Sequence, residues 1–264
     1  MVLATIATSA LAAPAIYDNN STTELASSLS QEVLGWTHAT FPAIYQTCNE
    51  TNTRMLNAVF KDTAEVTAYG KSRLLNYGID DAHYKRWFGN GSIFTVMGVF
   101  DQLMEASKGS MLMRCDDVDG LCAANPNYYA GYHRESAAAE TVICDYFYSS
   151  KKPLSTICFE GTIVDVGPTH YAGIDMLHRY LHLPTMNMDE YIGEYAETLE
   201  EVIDYAQNNA TFAVKNVDNY LYYLADVYST SVIPGGCLGE LWWFGWHSLE
   251  FYFLYRIYLF VLIF

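Results

Sequence analysis

Six cysteines constrain this chain more than any other feature: Cys48, Cys115, Cys122, Cys144, Cys158 and Cys237. An even set of six admits fifteen complete pairings. No two stand in a C-x-x-C spacing, which argues against a zinc ribbon or a thioredoxin-type redox site. Disulfides formed in an oxidising compartment are the better account.

The rest of the chain agrees with that compartment. Residues 1–15 form a short apolar run ending in small residues, and both Ala10-Leu11-Ala12 and Ala13-Pro14-Ala15 fit an A-x-A cleavage site. They read as a signal peptide, although no Lys or Arg precedes the run; the alternative is a buried N-terminal helix. Glycosylation sequons begin at Asn19, Asn20, Asn49, Asn90 and Asn209. The expected location is extracellular, with the cell wall as a further place.

Composition excludes other classes. Of 264 residues 51% are hydrophobic and 17% charged, the opposite of a disordered chain. Asp and Glu number 30 against 14 Lys and Arg, a net charge of −16. Phosphates repel such a surface, so no nucleic-acid partner is expected. The 22 tyrosines read as amphipathic packing residues.

Apolar spacing predicts helices over 23–46, 54–76, 93–107, 171–182, 189–208 and 211–228, with an aromatic cluster over 80–88. Short strands are expected at Ser110–Arg114, Tyr128–Tyr132 and Thr141–Phe147. Residues 16–240 read as a single, monomeric domain. From 241 to 264 the chain turns strongly apolar, but Glu250 and Arg256 interrupt the run. A membrane span needs about 20 apolar residues. That tail stays open between an anchor and an end that is not the natural one.

The stretch that carries chemistry is Asp175-Met176-Leu177-His178-Arg179-Tyr180-Leu181-His182. Residues four apart share a helix face, so His178 and His182 can meet on one metal ion. Asp175 and Arg179 extend the same polar stripe, which is expected to face a cleft. They also suit an i,i+4 acid-to-base pair. The remaining histidines, His38, His83, His133, His170 and His247, read as scattered core or surface residues.

From about residue 40 to 228 the chain resembles the fungal deuterolysin and peptidyl-Lys metallopeptidase group, the aspzincins, and most nearly the secreted fungal "putative peptidase domain" proteins. Arg86-Trp87-Phe88-Gly89, Cys144-Asp145-Tyr146-Phe147, the His178/His182 pair and Asn216-Val217-Asp218-Asn219-Tyr220 match family elements in order. The resemblance implies an α+β zincin-like metallopeptidase fold, mostly helical with a small disulfide-stapled β-sheet. It also implies Zn2+ as cofactor and a peptide or protein substrate. It puts a third ligand at Glu194, within Ile192-Gly193-Glu194-Tyr195-Ala196, with Asp189 as runner-up and Asp218 as structural. Cys48–Cys115 follows from the same resemblance. Cys122–Cys144 is expected to staple neighbouring strands, which leaves Cys158–Cys237.

One departure is decisive for activity. Arg179 stands where the group has the Glu of H-E-x-x-H. A guanidinium stays protonated and cannot accept a proton from water. General-base catalysis contributes roughly 10²–10⁴-fold. The expectation is a zinc metallopeptidase-like protein with impaired hydrolysis and no catalytic residue in place. The alternatives are a non-catalytic zinc-capturing surface antigen, or a structural wall glycoprotein without metal.

Overall fold

The structure is a computed structural model that describes residues 39–241. The expected signal peptide, Asn19, Asn20, His38, His247 and the apolar tail beyond Leu241 lie outside the described residues.

In chain order the elements are β1 (Ala43–Ile44), α1 (Glu50–Tyr77), α2 (Ala82–Phe88), α3 (Ile93–Glu105), β2 (Leu112–Arg114), α4 (Leu121–Ala124), β3 (Gly131–Arg134) and β4 (Ala137–Ile143). Then follow α5 (Asp145–Ser150), α6 (Ile163–Val166), α7 (Ala172–Leu181), α8 (Leu199–Asn208), α9 (Ala210–Ala213) and α10 (Val217–Val232). This is the mostly helical α+β arrangement that the sequence led us to expect. The sheet order is β1-β2-β4-β3. The first three strands run parallel and β3 closes the edge antiparallel to β4, with an irregularity at His133/Arg134.

Helices α1, α7 and α10 cross at the centre of a core to which α2, α3 and α8 also contribute. Every residue of α10 from Val217 to Ser229 is buried, as a helix that is apolar on most sides must be. α1 meets α10 at Gly70, where a Cβ would lie 2.2 Å from Leu224 Cδ2 and where Tyr223 Oη donates to the Gly70 carbonyl at 3.1 Å. It meets α7 at Gly173, where a Cβ would strike the Asp62 Cβ at 2.6 Å. Thr63 Oγ1 donates to the Gly173 carbonyl at 2.8 Å and fixes that crossing. Bare glycines let these helices approach closely enough to bond side chain to backbone.

All three cysteine pairings hold: Cys48–Cys115, Cys122–Cys144 and Cys158–Cys237. The second joins the α4 turn to the end of β4, and the third ties the segment after α10 to the loop before α6.

Several boundaries differ from the sequence reading. The described end of the predicted 23–46 helix is extended, and Ala43–Ile44 pairs with Leu112–Met113. Pro42 explains this, since a proline disfavours helix in the residue before it. The predicted 189–208 helix begins only at Leu199. Thr198 caps it and Glu201 completes a capping box, a signal present in the sequence. Residues 189–198 form a loop instead, entered through left-handed Met188, Asp189 and Glu190. The predicted 211–228 helix divides at Val214–Asn216 into α9 and α10. The second and third strands shift to 131–134 and 137–143, and the third gives way to α5.

Candidate metal centre

Ala172–Leu181 makes a helix because Ile174, Leu177 and Leu181 give it a core-facing side, and Asp175 lies in its first turn. Nearly all of α7 is buried, and His178 is the partly exposed exception. His182 follows one turn later at the C-cap. Their Nε2 atoms lie 2.8 Å apart.

Glu194 reaches the pair from the loop between α7 and α8. Its Oε1 lies 2.7 Å from His178 Nε2 and its Oε2 3.4 Å from His182 Nε2. Two structures hold that loop. Asn187 closes its left-handed turn by accepting from Glu190 N at 3.0 Å. Gly193 then pairs with the strand-like segment before α10, its N–H donating to Lys215 O and its carbonyl accepting from Val217 N, both at 3.0 Å. The fully buried Asn216 finishes the clamp. Its Oδ1 accepts from Tyr195 N at 2.8 Å and Ala196 N at 2.9 Å, while its Nδ2 donates to Ala196 O at 2.9 Å and Asn219 Oδ1 at 2.8 Å.

The three side chains thus offer two imidazole nitrogens and one carboxylate, all within 4.8 Å of one another. Zinc bonds of about 2.0–2.1 Å at tetrahedral angles put ligand atoms roughly 3.3–3.4 Å apart. The donor set therefore fits zinc after the two short separations open by roughly 0.5–0.7 Å. Hydrogen bonds from His178 and His182 hold the Glu194 carboxyl well below its usual range. Asp189, the runner-up, is exposed and stands apart from the group.

Arg179 does not share the open face. Contrary to the expected cleft-facing stripe, both Arg179 and Asp175 are buried, at 9% and 4% exposure. Arg179 Nε donates to Asp175 Oδ2 at 2.8 Å, and Lys151 Nζ lies 2.7 Å from Asp175 Oδ1. Burial alone would raise the Asp175 carboxyl, but Arg179 and Lys151 outweigh it and hold the group low. The guanidinium lies over the Phe147 ring at 5.8 Å and against Gly131 of β3, where a Cβ would meet Nη1 at 2.6 Å. α7 has turned its polar stripe two ways, histidines outward and ion pair inward.

Two neighbours were not legible as site residues. His133, on edge strand β3, has its ring centroid 5.4 Å from that of His182 and its Nδ1 3.1 Å from Thr141 Oγ1. Burial first, then the nearby His182 and Arg179, lower its imidazole to about 3. Asp218, in the first turn of α10, is pushed up to about 7 by burial and by the Glu194 and Glu197 charges. Elsewhere His83 pairs with Asp226 at 2.9 Å and His170 with Glu160 at 3.0 Å, as structural histidines.

Comparison with known proteins adds the lineage. Residues 1–240 match the family described as "HRXXH: Putative peptidase family". Protein ZPS1 of Saccharomyces cerevisiae is 83% identical over 91% of this chain and 97% of its own length. Antigen 1 of Emericella nidulans is 34% identical over 75% of this chain and 72% of its own. The pH-regulated antigen PRA1 of Candida albicans is 35% identical over 76% and 67%. A solved zinc peptidase from Grifola frondosa overlaps 68% of this chain and 97% of its own at 17% identity and a TM-score of 0.49, too low to carry a role for any residue. The arginine between the histidines is thus no private lesion of this sequence: His178-Arg179-Tyr180-Leu181-His182 spells the pattern in the family's description, and the chain belongs to that HRXXH peptidase family.

Proposed function

We propose that the protein is a secreted zinc-binding member of its peptidase family, with zinc held by His178, His182 and Glu194 and with peptide hydrolysis impaired. The convergence of those three side chains carries the reading. His178, His182 and Glu194 would hold the ion, which when bound would supply Lewis-acid chemistry to a carbonyl or a water. What α7 lacks is a carboxylate base at the residue after His178, where Arg179 stands. Arg179 cannot accept a proton, and its guanidinium is bound to Asp175. This arrangement serves zinc capture, which needs no base, better than peptide cleavage, and two of the relatives are named antigens.

Export is supported by the three disulfides and by exposed sequons at Asn49, Asn90 and Asn209. Among the described residues no helix is long and apolar enough to cross a membrane.

The test is zinc content per chain after dialysis, beside a peptide-hydrolysis assay. One zinc in the wild type, none in His178→Ala and no turnover is the expected result. A wild type without zinc would sink the reading. A second reading, an active hydrolase, is favoured by His133, whose uncharged imidazole stands next to the group. Zinc-dependent turnover abolished by His133→Ala would replace the first reading with that one.

A further inference from the structure

Asp218 is 9% exposed, and its Oδ2 is buried without a hydrogen-bond partner. Its position is set by the same short bridge that sets Glu194. Gly193 pairs with Asn216, so Glu194 and Asp218 leave the same bridge, one residue beyond Gly193 and two beyond Asn216. The two carboxyls and that of Glu197 lie close enough to oppose one another electrostatically, and His182 is near enough to relieve Asp218 in part. No cation among the described residues pairs with Asp218. The nearest in the chain, Lys215, has its Nζ over the Tyr191 ring at 4.4 Å.

A buried carboxyl without a partner costs folding free energy, and other carboxylates beside it raise that cost. A positive charge arriving beside such a group offsets that cost. Metal sites routinely carry an outer carboxylate that orients a ligating imidazole and complements the ion. Here His178 and His182 point Nε2 toward Glu194, which leaves their other ring nitrogens for outer partners.

We propose that Asp218 is an outer carboxylate of the metal centre, a charge partner to the cation held by His178, His182 and Glu194. This rests on the zinc reading above. It assigns Asp218 a cost in the metal-free protein and a gain in the loaded one, whereas a purely structural residue would stabilise both.

The experiment compares wild type, Asp218→Asn and Glu197→Gln, with zinc binding read by calorimetry and melting of the metal-stripped proteins. Asp218→Asn keeps the shape and removes the charge. It should weaken zinc binding about 10–100-fold while raising the melting temperature of the metal-free protein. Glu197→Gln removes an equal charge from an exposed place and should change zinc affinity about threefold or less. Unchanged zinc affinity in Asp218→Asn, with a wild type that binds, would overturn this proposal alone. A metal-free Asp218→Asn that melts below wild type or fails to fold would also overturn it. A wild type that binds no zinc would overturn the metal reading and this one together.

Discussion

Arg179 donates to Asp175 from one turn further along the same helix, at 2.8 Å and out of contact with most solvent. The residue that stands at the general-base position therefore faces the interior. Placing a glutamate there should not create an enzyme. Arg179→Glu places a second carboxylate beside Asp175 and leaves Lys151 as its cation. Breaking a buried pair costs about 3–5 kcal/mol. Urea unfolding should show a loss of that size, with no gain of peptide cleavage. A stable, hydrolytic Arg179→Glu protein would mean that arginine merely blocks an otherwise competent site.

Asn216 governs Glu194 without touching its carboxylate. It makes four hydrogen bonds at zero exposure, three of them to the two residues after Glu194. Asn216→Ala leaves buried backbone groups unpaired at about 1–3 kcal/mol each. It should lower the melting temperature and weaken zinc binding by about tenfold. Asn216→Asp keeps the acceptor for Tyr195 and Ala196 and should recover part of the zinc affinity. Equal zinc affinity in Asn216→Ala would show that the loop holds Glu194 by other means.

Acid should act on the metal-stripped protein through His133. Its folded imidazole lies at about 3, against about 6.5 in an unfolded chain. Between those values the unfolded state binds a proton that the folded state excludes, so stability rises with pH there. The contribution is fully present above about 6.5 and is lost as pH falls toward 3. On the sheet, hydrogen bonding from Arg114 lowers Asp116 to about 2, so that ion pair outlasts this range. Chemical denaturation from pH 7 to pH 3 should show the slope in wild type and a flatter profile in His133→Asn. Parallel profiles would remove His133 as the cause.

Cys158–Cys237 closes the longest of the three loops, with a sequence separation of 79. In the chain-entropy picture a cross-link of that span is worth about 4.5 kcal/mol. The paired Cys158→Ser, Cys237→Ser variant should lose stability of that order in guanidinium melts. Zinc binding should persist at low temperature, because the ligands lie on α7 and the Gly193–Asn216 bridge.

Much of this molecule was legible in the chain itself. The 3.6-residue period puts His178 and His182 on one face, and family resemblance pointed to Glu194, which the fold brings beside them, and to the Cys48–Cys115 pairing. Thr198 and Glu201 even announced the true start of α8, though the apolar spacing upstream obscured it. Local sequence could do this because helix periodicity and capping are properties of neighbours in the chain. It could not tell which way Arg179 turns, because the stripe it shares with the histidines is broken by Gly131, Phe147 and Lys151, which arrive from other elements. Nor could it find His133 or Asp218, brought to the histidines by an edge strand and a two-residue bridge with no local signature. The amino-acid order set which donor side chains are present and the four-residue spacing of the two histidines. Tertiary packing decided burial, and burial decides which charges are paired, which are costly and which remain to meet a metal.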